Sequence, residues 1–390
     1  MVVEGARRMQ PADSSVVLTR CEDYQPENVG EAVSAALGLL GGAGKFARKG
    51  QSVFIKVNAV TASDPATAIV THPEVTRAVI TEFQRLTDRV TVGDSPGGPF
   101  TPALLKRVYE KTGLARVAAE TGADLGLDTA TVDLRLPQGK MLKRLTLCRS
   151  MVEADVLVSV CKFKTHRFLN ITGPIKNLYG SVPGLTKFVY HSRFEDDRQF
   201  ADLIVDVHLA AKPSLNIVDA VEIIDGDGSR HGSIRKMKAV GSSADAFALE
   251  SQLLEMAGLE PSDDKPLAAA IARGVCPSGT GWFETLGEDP AGLAVGEFRL
   301  PGKNLFSERM PARIAGRFSR ALAVTPRPLP EKCSGCGKCA GICPREAITM
   351  RQGLAVVDSS KCIRCFCCDE LCEQQAIGLK VPLLMRLKRS

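Results

Sequence analysis

Apolar and polar residues follow two recurring patterns in the part of the chain before residue 300. Short runs rich in β-branched residues are typical of buried strands, and these are SSVVLTRC, SVFIKVN, RVTVGDSPGG, ADVLVSVCKFKTH and SLNIVDAVEII. Between them lie stretches of helical period, in one of which Val75, Val79 and Phe83 are spaced four residues apart. This alternation predicts an α/β domain with a mostly parallel sheet flanked by helices.

The pattern changes near residue 299, which divides the chain into three predicted parts. Residues 15–298 form the α/β domain, residues 299–330 a basic linker rich in proline and arginine, and residues 331–380 a small cysteine-rich domain. Proline-rich stretches of this kind are typical of linkers between domains.

Basic residues are concentrated late in the chain. In the linker, Ile314, Phe318 and Leu322 recur every four residues among arginines, which predicts a short basic amphipathic helix, and the tail VPLLMRLKRS is similar in character. Such segments either pack between domains or touch an anionic membrane surface, so weak membrane-surface contact is one prediction. The net charge of +6 over 390 residues is too small to indicate a nucleic-acid binder.

The composition is that of a soluble globular protein, with 44% hydrophobic and 24% charged residues. The first residues lack the apolar region of a secretory signal, and no run approaches the roughly 18 apolar residues of a membrane span. These features predict a cytoplasmic protein with reduced cysteines. In that setting a cysteine cluster is more often a metal site than a set of disulfides.

Nine of the 13 cysteines lie between residues 333 and 372. Eight of them form two C-x2-C-x2-C-x3-C motifs, the spacing of bacterial two-cluster ferredoxins, in which the fourth cysteine of each motif binds the other cluster. Two [4Fe–4S] clusters are therefore predicted. One has the ligands Cys333, Cys336, Cys339 and Cys372, and the other has Cys362, Cys365, Cys368 and Cys343. Zinc is the alternative, but zinc knuckles lie further apart and no histidine occurs in this region.

The two halves of the cysteine-rich region are similar beyond their cysteines. REAI follows the first motif and QQAI follows the second, which predicts a duplicated loop–helix–strand unit. Glu373 stands where the first motif has Pro344, and the ninth cysteine, Cys367, is predicted to be a packing residue. The region resembles the bacterial two-[4Fe–4S] ferredoxin fold, which implies a small α+β domain.

Polar residues collect after the predicted strands, at the edge where parallel sheets bind their ligands. The turn GDSPGG is neither a P-loop nor a dinucleotide fingerprint. Its glycines could present backbone N–H groups to an anion, and an ordinary turn explains them equally well. The predicted cofactor-binding residues are Asp94, Ser95, Gly97 and Gly98 of this turn, together with Lys162, Asn177 and Asp225.

The stretch from residue 162 to 191 is rich in lysine, histidine and glycine. This composition suits an anionic or carboxylate ligand, with the lysines as point charges. The residues predicted to bind and protonate it are Lys164, Lys176, His166 and His191. The two histidines could be proton donors near neutral pH. The alternative is a surface lid whose charges are solvated.

The motifs HPEVTRAVI, VGDSPGG, KFKTH, TGPIKNLYGSVPG and VDAVEIIDGDG follow one another in this order. Together they resemble the domain-of-unknown-function family numbered 362, over about residues 15–295. The resemblance implies a C-terminal two-cluster ferredoxin module, which members often carry, but no settled reaction. The loop around KNLYG also resembles, distantly, the glycine–lysine loops of the nickel-pincer lactate racemase group, an analogy of fold alone.

These features predict an iron–sulfur oxidoreductase whose clusters deliver single electrons to a substrate in the α/β domain. No nicotinamide or flavin fingerprint occurs, so reduction is either direct or uses a cofactor without a sequence signature. The predicted partners are a redox partner protein or an anionic small molecule. Two alternatives remain, an electron-transfer adaptor without catalysis and an anion-binding protein regulated by its clusters.

Overall fold

A computed structural model of the protein describes residues 14–301 and 324–380. The predicted amphipathic helix with Ile314, Phe318 and Leu322 lies outside the described residues, as does the basic tail after residue 380. Contact with a membrane surface through these segments therefore stays a prediction. None of the helices in the described ranges combines the length and the apolarity that crossing a bilayer requires.

Nine strands form the central sheet within the described residues. They are β1 (Val16–Arg20), β2 (Val53–Lys56), β3 (Val90–Gly93), β4 (Asp124–Leu125), β7 (Val156–His166), β8 (Asn170–Thr172), β9 (Leu215–Gly226), β10 (Gly232–Ser243) and β11 (Thr285–Gly287). A separate hairpin consists of β5 (Thr131–Arg135) and β6 (Arg144–Cys148).

The strand order is β11-β1-β10-β9-β7-β2-β3-β4, and β8 pairs with the end of β7. Neighbouring strands from β9 through β7, β2 and β3 to β4 are all parallel, as are β1 and β11. Among the described strands of this sheet, only β10, which joins β9 to β1, and β8 pair in the antiparallel sense. The prediction of a mostly parallel sheet flanked by helices is confirmed.

The helices of this domain lie between and after the strands. They are α1 (Pro26–Leu39), α2 (Pro73–Gln84), α3 (Pro102–Lys111), α4 (Leu114–Thr121), α5 (Arg149–Glu153), α6 (Pro174–Asn177), α7 (Thr186–Arg193), α8 (Asp197–Ala211), α9 (Ala246–Met256), α10 (Lys265–Ala272) and α11 (Pro290–Leu293). Short 3₁₀ turns cover Ala43–Lys45, Pro65–Thr67, Leu178–Ser181 and Pro261–Asp263. α3 and α4 replace one predicted helix, because Gly113 adopts a left-handed conformation (φ 76°) that ends α3.

Hydrophobic side chains cover both faces of the sheet. Along β1, Val17 and Leu18 belong to two separate hydrophobic clusters. The cluster that contains Val17 joins the sheet to α1–α4, and the cluster that contains Leu18 joins it to α8–α10. Each fully buried aliphatic or aromatic side chain stabilises the fold by about 1.5–3 kcal/mol, so the two layers hold the sheet firmly. The polar residues at its carboxyl edge lie outside these two hydrophobic clusters.

The C-terminal module, residues 325–380, has two small antiparallel pairs of strands. Its elements are β12 (Thr325–Pro328), α12 (Lys338–Gly341), β13 (Ile348–Arg351), β14 (Leu354–Val357), α13 (Cys367–Glu370) and β15 (Ile377–Lys380). β12 pairs with β15, and β13 pairs with β14. Each cysteine motif contains a helical turn and is followed by a strand, which confirms the predicted duplicated unit.

The ends of the predicted linker differ from the structure. Thr325–Pro328 pairs with Ile377–Lys380, so this strand belongs to the C-terminal module and not to the linker. At the other end, the Arg299 guanidinium lies 2.9 Å from the Asp225 carboxylate, which attaches it to the α/β domain. Both segments are rich in proline and arginine, so composition alone assigned them to the linker.

The two halves of the C-terminal module differ in one backbone feature. α12 follows Gly337, which has a φ of 71°, and α13 follows Phe366, which has a φ of 57°. Glycine adopts this left-handed conformation freely, whereas a side chain as large as phenylalanine does so at a cost. Phe366 is buried, and the Arg167 guanidinium of the α/β domain lies 4.9 Å from the centre of its ring. The second half therefore packs Phe366 against the α/β domain at the position where the first half has a glycine.

Candidate functional site

A pocket lies at the carboxyl ends of β2, β3 and β7, the edge where parallel sheets bind their ligands. We call it the lysine pocket, after the four lysines on its walls, which are Lys56, Lys164, Lys176 and Lys187. It consists of two adjoining cavities of about 70 and 40 Å³, which share Asn58, His166, Lys176 and Glu370. Cavities of this size hold a few water molecules and are far smaller than a typical ligand pocket.

Most of the predicted site residues lie on the wall of the lysine pocket. From the strand ends and the turn after β3 come Asp94, Ser95, Gly97, Lys164 and His166. From α6 and α7 come Lys176, Asn177 and His191. The lysine pocket thus brings together the stretch of residues 162–191 and the turn after β3. The sequence had singled out these two segments for different reasons.

Three predicted cofactor-binding residues do not line the lysine pocket. The Lys162 ammonium is buried and lies 3.0 Å from the Asp219 carboxylate of β9. Asp225 is engaged by Arg235 as well as Arg299. Gly98 lies beyond the wall in a left-handed turn (φ 116°). The sequence could not exclude Lys162, because the register shift between Lys162 and Lys164 depends on strand pairing. It could not exclude Asp225, because its pairing with the two arginines is a tertiary feature.

The turn GDSPGG uses its backbone N–H groups within the fold. The Gly97 N–H donates to the Val60 carbonyl at 3.1 Å, and the Ser95 N–H donates to the Asp94 carboxylate at 2.9 Å. A Cβ on Gly97 would lie 2.6 Å from the Leu371 side chain. Gly97 is therefore a close-contact position, where the C-terminal module meets the α/β domain. Of the two interpretations, this geometry favours the turn.

A buried ion pair forms one wall of the lysine pocket. The Lys56 ammonium lies 3.0 Å from the Asp94 carboxylate, with side-chain exposures of only 1% and 3%. Lys56 also donates to Asn177 at 2.7 Å, and Asp94 accepts from the Ala59 N–H at 2.7 Å. A Cβ on Gly180 would lie 2.2 Å from the Asp94 carboxylate, so this position needs glycine. Burial lowers the pKa of Lys56, and the Asp94 charge opposes that change.

Two other lysines have pKa values close to neutral pH. Lys164 donates to the Asn58 side chain at 2.9 Å, and burial followed by repulsion from Lys176 lowers its pKa to about 7. Lys187 donates to the Ser95 carbonyl at 2.8 Å, and burial lowers its pKa to about 8. Lys56 and Lys187 were not among the predicted site residues. Lys56 could have been identified from the sequence because it interrupts an otherwise apolar strand. Lys187 could have been identified because it lies in the cation-rich stretch of residues 162–191.

Both histidines of the lysine pocket are neutral at pH 7 in this arrangement. The His166 Nδ1 accepts from the Phe168 and Leu169 N–H groups at 3.2 and 3.0 Å, so Nε2 carries the proton and donates to Glu370 at 2.6 Å. Burial lowers the pKa of His166 to about 4. His191 stacks on Phe200 at 4.1 Å, and burial lowers its pKa to about 3. Their predicted role as proton donors stays a prediction, and the lysines match neutral pH better.

Replacing Lys176 with Gln is expected to raise the pKa of Lys164 from about 7 toward the ordinary lysine value, because Lys176 is the strongest charged neighbour that lowers it. The charged groups that act on Lys164 are Lys176, Glu370, Lys162 and Arg230. ¹³C NMR titration of lysine Cε carbons measures the change. Lys265→Gln is the control, since Lys265 pairs with Asp197 outside the pocket. An unchanged Lys164 midpoint in Lys176→Gln would contradict the assigned cause.

The cysteines of the C-terminal module are arranged across its two halves. Burial raises the pKa of the Cys339 thiol, and nearby thiols raise it further. These neighbours are Cys372, Cys336 and Cys333. Burial likewise raises the pKa of Cys362, next to Cys365 and Cys343. For these two cysteines the neighbouring thiols belong to the same predicted ligand set and include the member from the other motif, whereas the thiols near Cys368 are Cys365 and Cys362 of its own set and Cys339 of the other.

Backbone donors to sulfur repeat with the same symmetry. The Ala347 N–H donates to the Cys343 sulfur and the Ala376 N–H donates to the Cys372 sulfur, both at 3.2 Å. Such N–H···S bonds stabilise cluster-bound thiolates. Within the described ranges, no three His, Cys, Asp or Glu side chains converge as a single metal ion requires. A cubane instead takes its four thiolates at four separate iron atoms, so the donor set fits [4Fe–4S] clusters.

The C-terminal module covers the lysine pocket. Cys367, Glu370 and Leu371 line its larger cavity. Cys367 also packs with Phe188 of α7 and Ile342, as a packing residue would. Polar contacts surround this area. They include Arg230 to the Glu370 carbonyl (2.7 Å), His231 to Asp369 (3.1 Å), Arg345 to Glu195 (3.2 Å), and Arg107 to Glu373.

Two family models match the chain. The one described as "Domain of unknown function (DUF362)" matches residues 53–255, just over half of the chain. The one described as "4Fe-4S binding domain" matches residues 327–349. The first confirms the resemblance drawn from the motifs, and the second confirms a 4Fe–4S ferredoxin-type domain at the C-terminal side.

Two curated relatives are similar to different parts of the chain. A thylakoid-associated protein of Synechocystis sp. is 29% identical over 296 residues, which cover 74% of this chain and 88% of that protein. A component of the ion-translocating oxidoreductase complex of Methanosarcina acetivorans is 44% identical over 48 residues, only 12% of this chain and 18% of that component.

Among solved structures, the lactate racemase apoprotein of Thermoanaerobacterium thermosaccharolyticum is similar with a TM-score of 0.36 and 14% identity, over 63% of this chain and 57% of that chain. A Thermotoga maritima protein has a TM-score of 0.35 and 11% identity, over 53% of each chain.

Proposed function

Since the chain belongs to the DUF362 family and has a 4Fe–4S ferredoxin-type domain, we propose that it is an iron–sulfur reductase for an anionic substrate. One observation carries the proposal: α13 belongs to the second cysteine motif and also forms a wall of the lysine pocket, through Cys367 and Glu370. When bound, two [4Fe–4S] clusters would supply single electrons. The same segment thus holds cluster ligands and covers the pocket.

The lysines are suited to bind and orient an anion. Lys164, Lys176 and Lys187 are buried or half-buried ammonium groups with no carboxylate within ion-pair distance among the described residues. Charge-assisted hydrogen bonds from such groups are stronger than those between neutral groups. An acid with a conjugated double bond meets these requirements, because its carboxylate binds the lysines and its conjugation makes it reducible.

Reduction of such a bond requires two electrons and two protons, and the pocket offers groups that can supply the protons. The pKa values of about 7 and 8 for Lys164 and Lys187 place their proton transfers near neutral pH, where general acids work best. Asp94 holds Lys56 in place beside them at 3.0 Å. The electrons come from a one-electron donor protein that reduces the C-terminal module, and each proton lost is replaced from water.

Alanine at Lys164, His166 or Lys176 is expected to lower turnover by about 100-fold or more while the iron content is unchanged, because proton transfer and anion binding are lost. The assay uses anaerobically purified protein and the small anion that co-purifies with it, identified by mass spectrometry. Thr146→Ala, which removes a hydrogen bond to Asp133 outside the pocket, is the control.

The alternatives give different results in the same assay. An electron-transfer adaptor relays electrons to its partner protein at an unchanged rate in all three alanine variants. A redox-regulated binding protein binds the anion with an affinity that changes on reduction but does not convert it. If no anion co-purifies or none is converted, the reductase proposal fails.

A further inference from the structure

The α/β domain contributes far more positive than negative charge to the lysine pocket. Four lysines line it, and the one carboxylate that this domain places there, within the described residues, is Asp94. Asp94 is already engaged, at 3.0 Å from the Lys56 ammonium. Among the residues that the structure describes, Lys164 and Lys187 donate to neutral groups, and neither they nor Lys176 forms an ion pair. Such a cluster in a water-poor site favours binding of an additional carboxylate.

Glu370 of the C-terminal module supplies that carboxylate. Its Oε1 accepts a hydrogen bond from the His166 Nε2 at 2.6 Å, and it lines both cavities of the pocket. The Lys176 ammonium and the His191 ring are among the groups on which its charge acts. His166, Lys176 and His191 all come from the α/β domain, whereas Glu370 is between 179 and 204 residues away in the sequence.

We propose that the Glu370 carboxylate occupies the subsite in which the lysine pocket binds the carboxylate of its ligand. A free acid and Glu370 then compete for the same donors, and the acid binds only where Glu370 withdraws. This inference rests on the proposed function in one respect, since that function makes the ligand a substrate. The competition between Glu370 and a free acid can be measured as binding, without any turnover. The cavities of about 70 and 40 Å³ that remain beside Glu370 agree with a subsite that is already filled.

The contacts around Glu370 allow such withdrawal. They are mostly polar and partly exposed, such as His231 to Asp369 and Arg345 to Glu195. The apolar contacts include Cys367 with Phe188, Leu371 against Gly97, and the Phe366 ring against Arg167. Interfaces of this kind between domains resemble those of transient complexes. A carboxylate attached to the same chain nevertheless has a high effective concentration, so a free acid competes poorly with it.

Acetate is the probe that tests this competition, because it carries a carboxylate and little else. Its affinity for the oxidised, cluster-loaded protein is measured by isothermal titration calorimetry. Glu370→Ala is expected to bind acetate at least about tenfold more tightly than the unchanged protein, since the tethered competitor is gone. Lys176→Gln in the Glu370→Ala background is expected to abolish most of that gain.

Glu373→Gln is the matched control. Glu373 is also a carboxylate of the C-terminal module and contacts Arg107 and Lys338, but it does not line the lysine pocket. Its replacement removes two partly exposed ion pairs, each worth less than about 1 kcal/mol, and leaves Glu370 in place, so any gain in acetate affinity is expected to be much smaller than in Glu370→Ala. Glu370→Gln, which keeps the shape of the side chain, serves if Glu370→Ala loses iron.

Two results would overturn the inference. One is equal acetate affinity in Glu370→Ala, Glu370→Gln and the unchanged protein, and the other is an equal gain in Glu373→Gln. These outcomes are separate from the fate of the reductase proposal. If the alanine variants lose turnover but Glu370 variants bind acetate no better, only the subsite assignment fails. If acetate binding rises as expected but no anion is converted, only the reductase proposal fails.

Discussion

If the chain holds the two proposed cubanes, the double substitution Cys343→Ser and Cys362→Ser is expected to lower the iron content from about eight to about four atoms per chain, because the proposed ligand sets place both residues on the same cubane. Cys343→Ser with Cys372→Ser is expected to lose both clusters. The two pairs differ in one residue only, and each takes its residues from both motifs. Their contrast therefore tests the proposed crosswise ligand sets, with which the neighbours of Cys339 and Cys362 agree.

Iron and sulfide analysis of anaerobically prepared protein, with EPR of the reduced state, measures the number of clusters. Cys367→Ser is the control, and it is expected to retain about eight irons since Cys367 belongs to neither ligand set. Equal iron loss in the two double variants would exclude the crosswise arrangement. Zinc in place of iron in the unchanged protein would remove the basis of the electron-transfer proposal altogether.

The substitution Asp94→Asn is expected to lower the free energy of unfolding of the α/β domain by about 3–5 kcal/mol, because it leaves the Lys56 ammonium buried without a compensating charge. The two side chains are 1% and 3% exposed, so water cannot take the place of the carboxylate. Urea unfolding followed by circular dichroism measures the change. The hydrogen bonds from Ala59 and Ser95 to Asp94 would also weaken, which acts in the same direction.

Asp64→Asn provides the matched control for that measurement. Asp64 faces Lys111 at 3.9 Å, but both side chains are 58% exposed, so solvent screens the pair and the expected loss is below about 1 kcal/mol. Lys56→Met combined with Asp94→Leu is expected to recover much of the stability, since replacing both partners leaves no buried charge. A loss for Asp94→Asn no larger than for Asp64→Asn would show that the buried pair does not behave as an isolated ion pair.

The sequence predicts the sheet well where strands are long and buried. The run ADVLVSVCKFKTH predicts β7, which extends from Val156 to His166 with every side chain buried. The sequence does not predict where helices break, because the apolar period continues on both sides of Gly113 while the backbone turns there. β10 was not expected, since the residues after Gly226 are polar and its pairing with β9 and β1 is a tertiary feature.

The sequence predicts only the part of the site that the α/β domain contributes. The stretch of residues 162–191 contributes Lys164, His166, Lys176 and His191 to one pocket, as its composition suggested. Glu370 was missed because nothing in the sequence states how the C-terminal module docks. The ion pair of Lys162 with Asp219 was missed for a related reason, since it depends on which strands become neighbours.

The duplication in the C-terminal module has become unequal in a way that sets its orientation. Gly335 and Gly337 of the first half correspond in position to Arg364 and Phe366 of the second, and all four residues have positive φ. The second half presents Phe366 to the α/β domain, while the first half leaves Cys336 exposed. The Cys336 side of the first repeat is therefore open to a protein that approaches from solvent, whereas the corresponding side of the second repeat, at Phe366, faces the α/β domain.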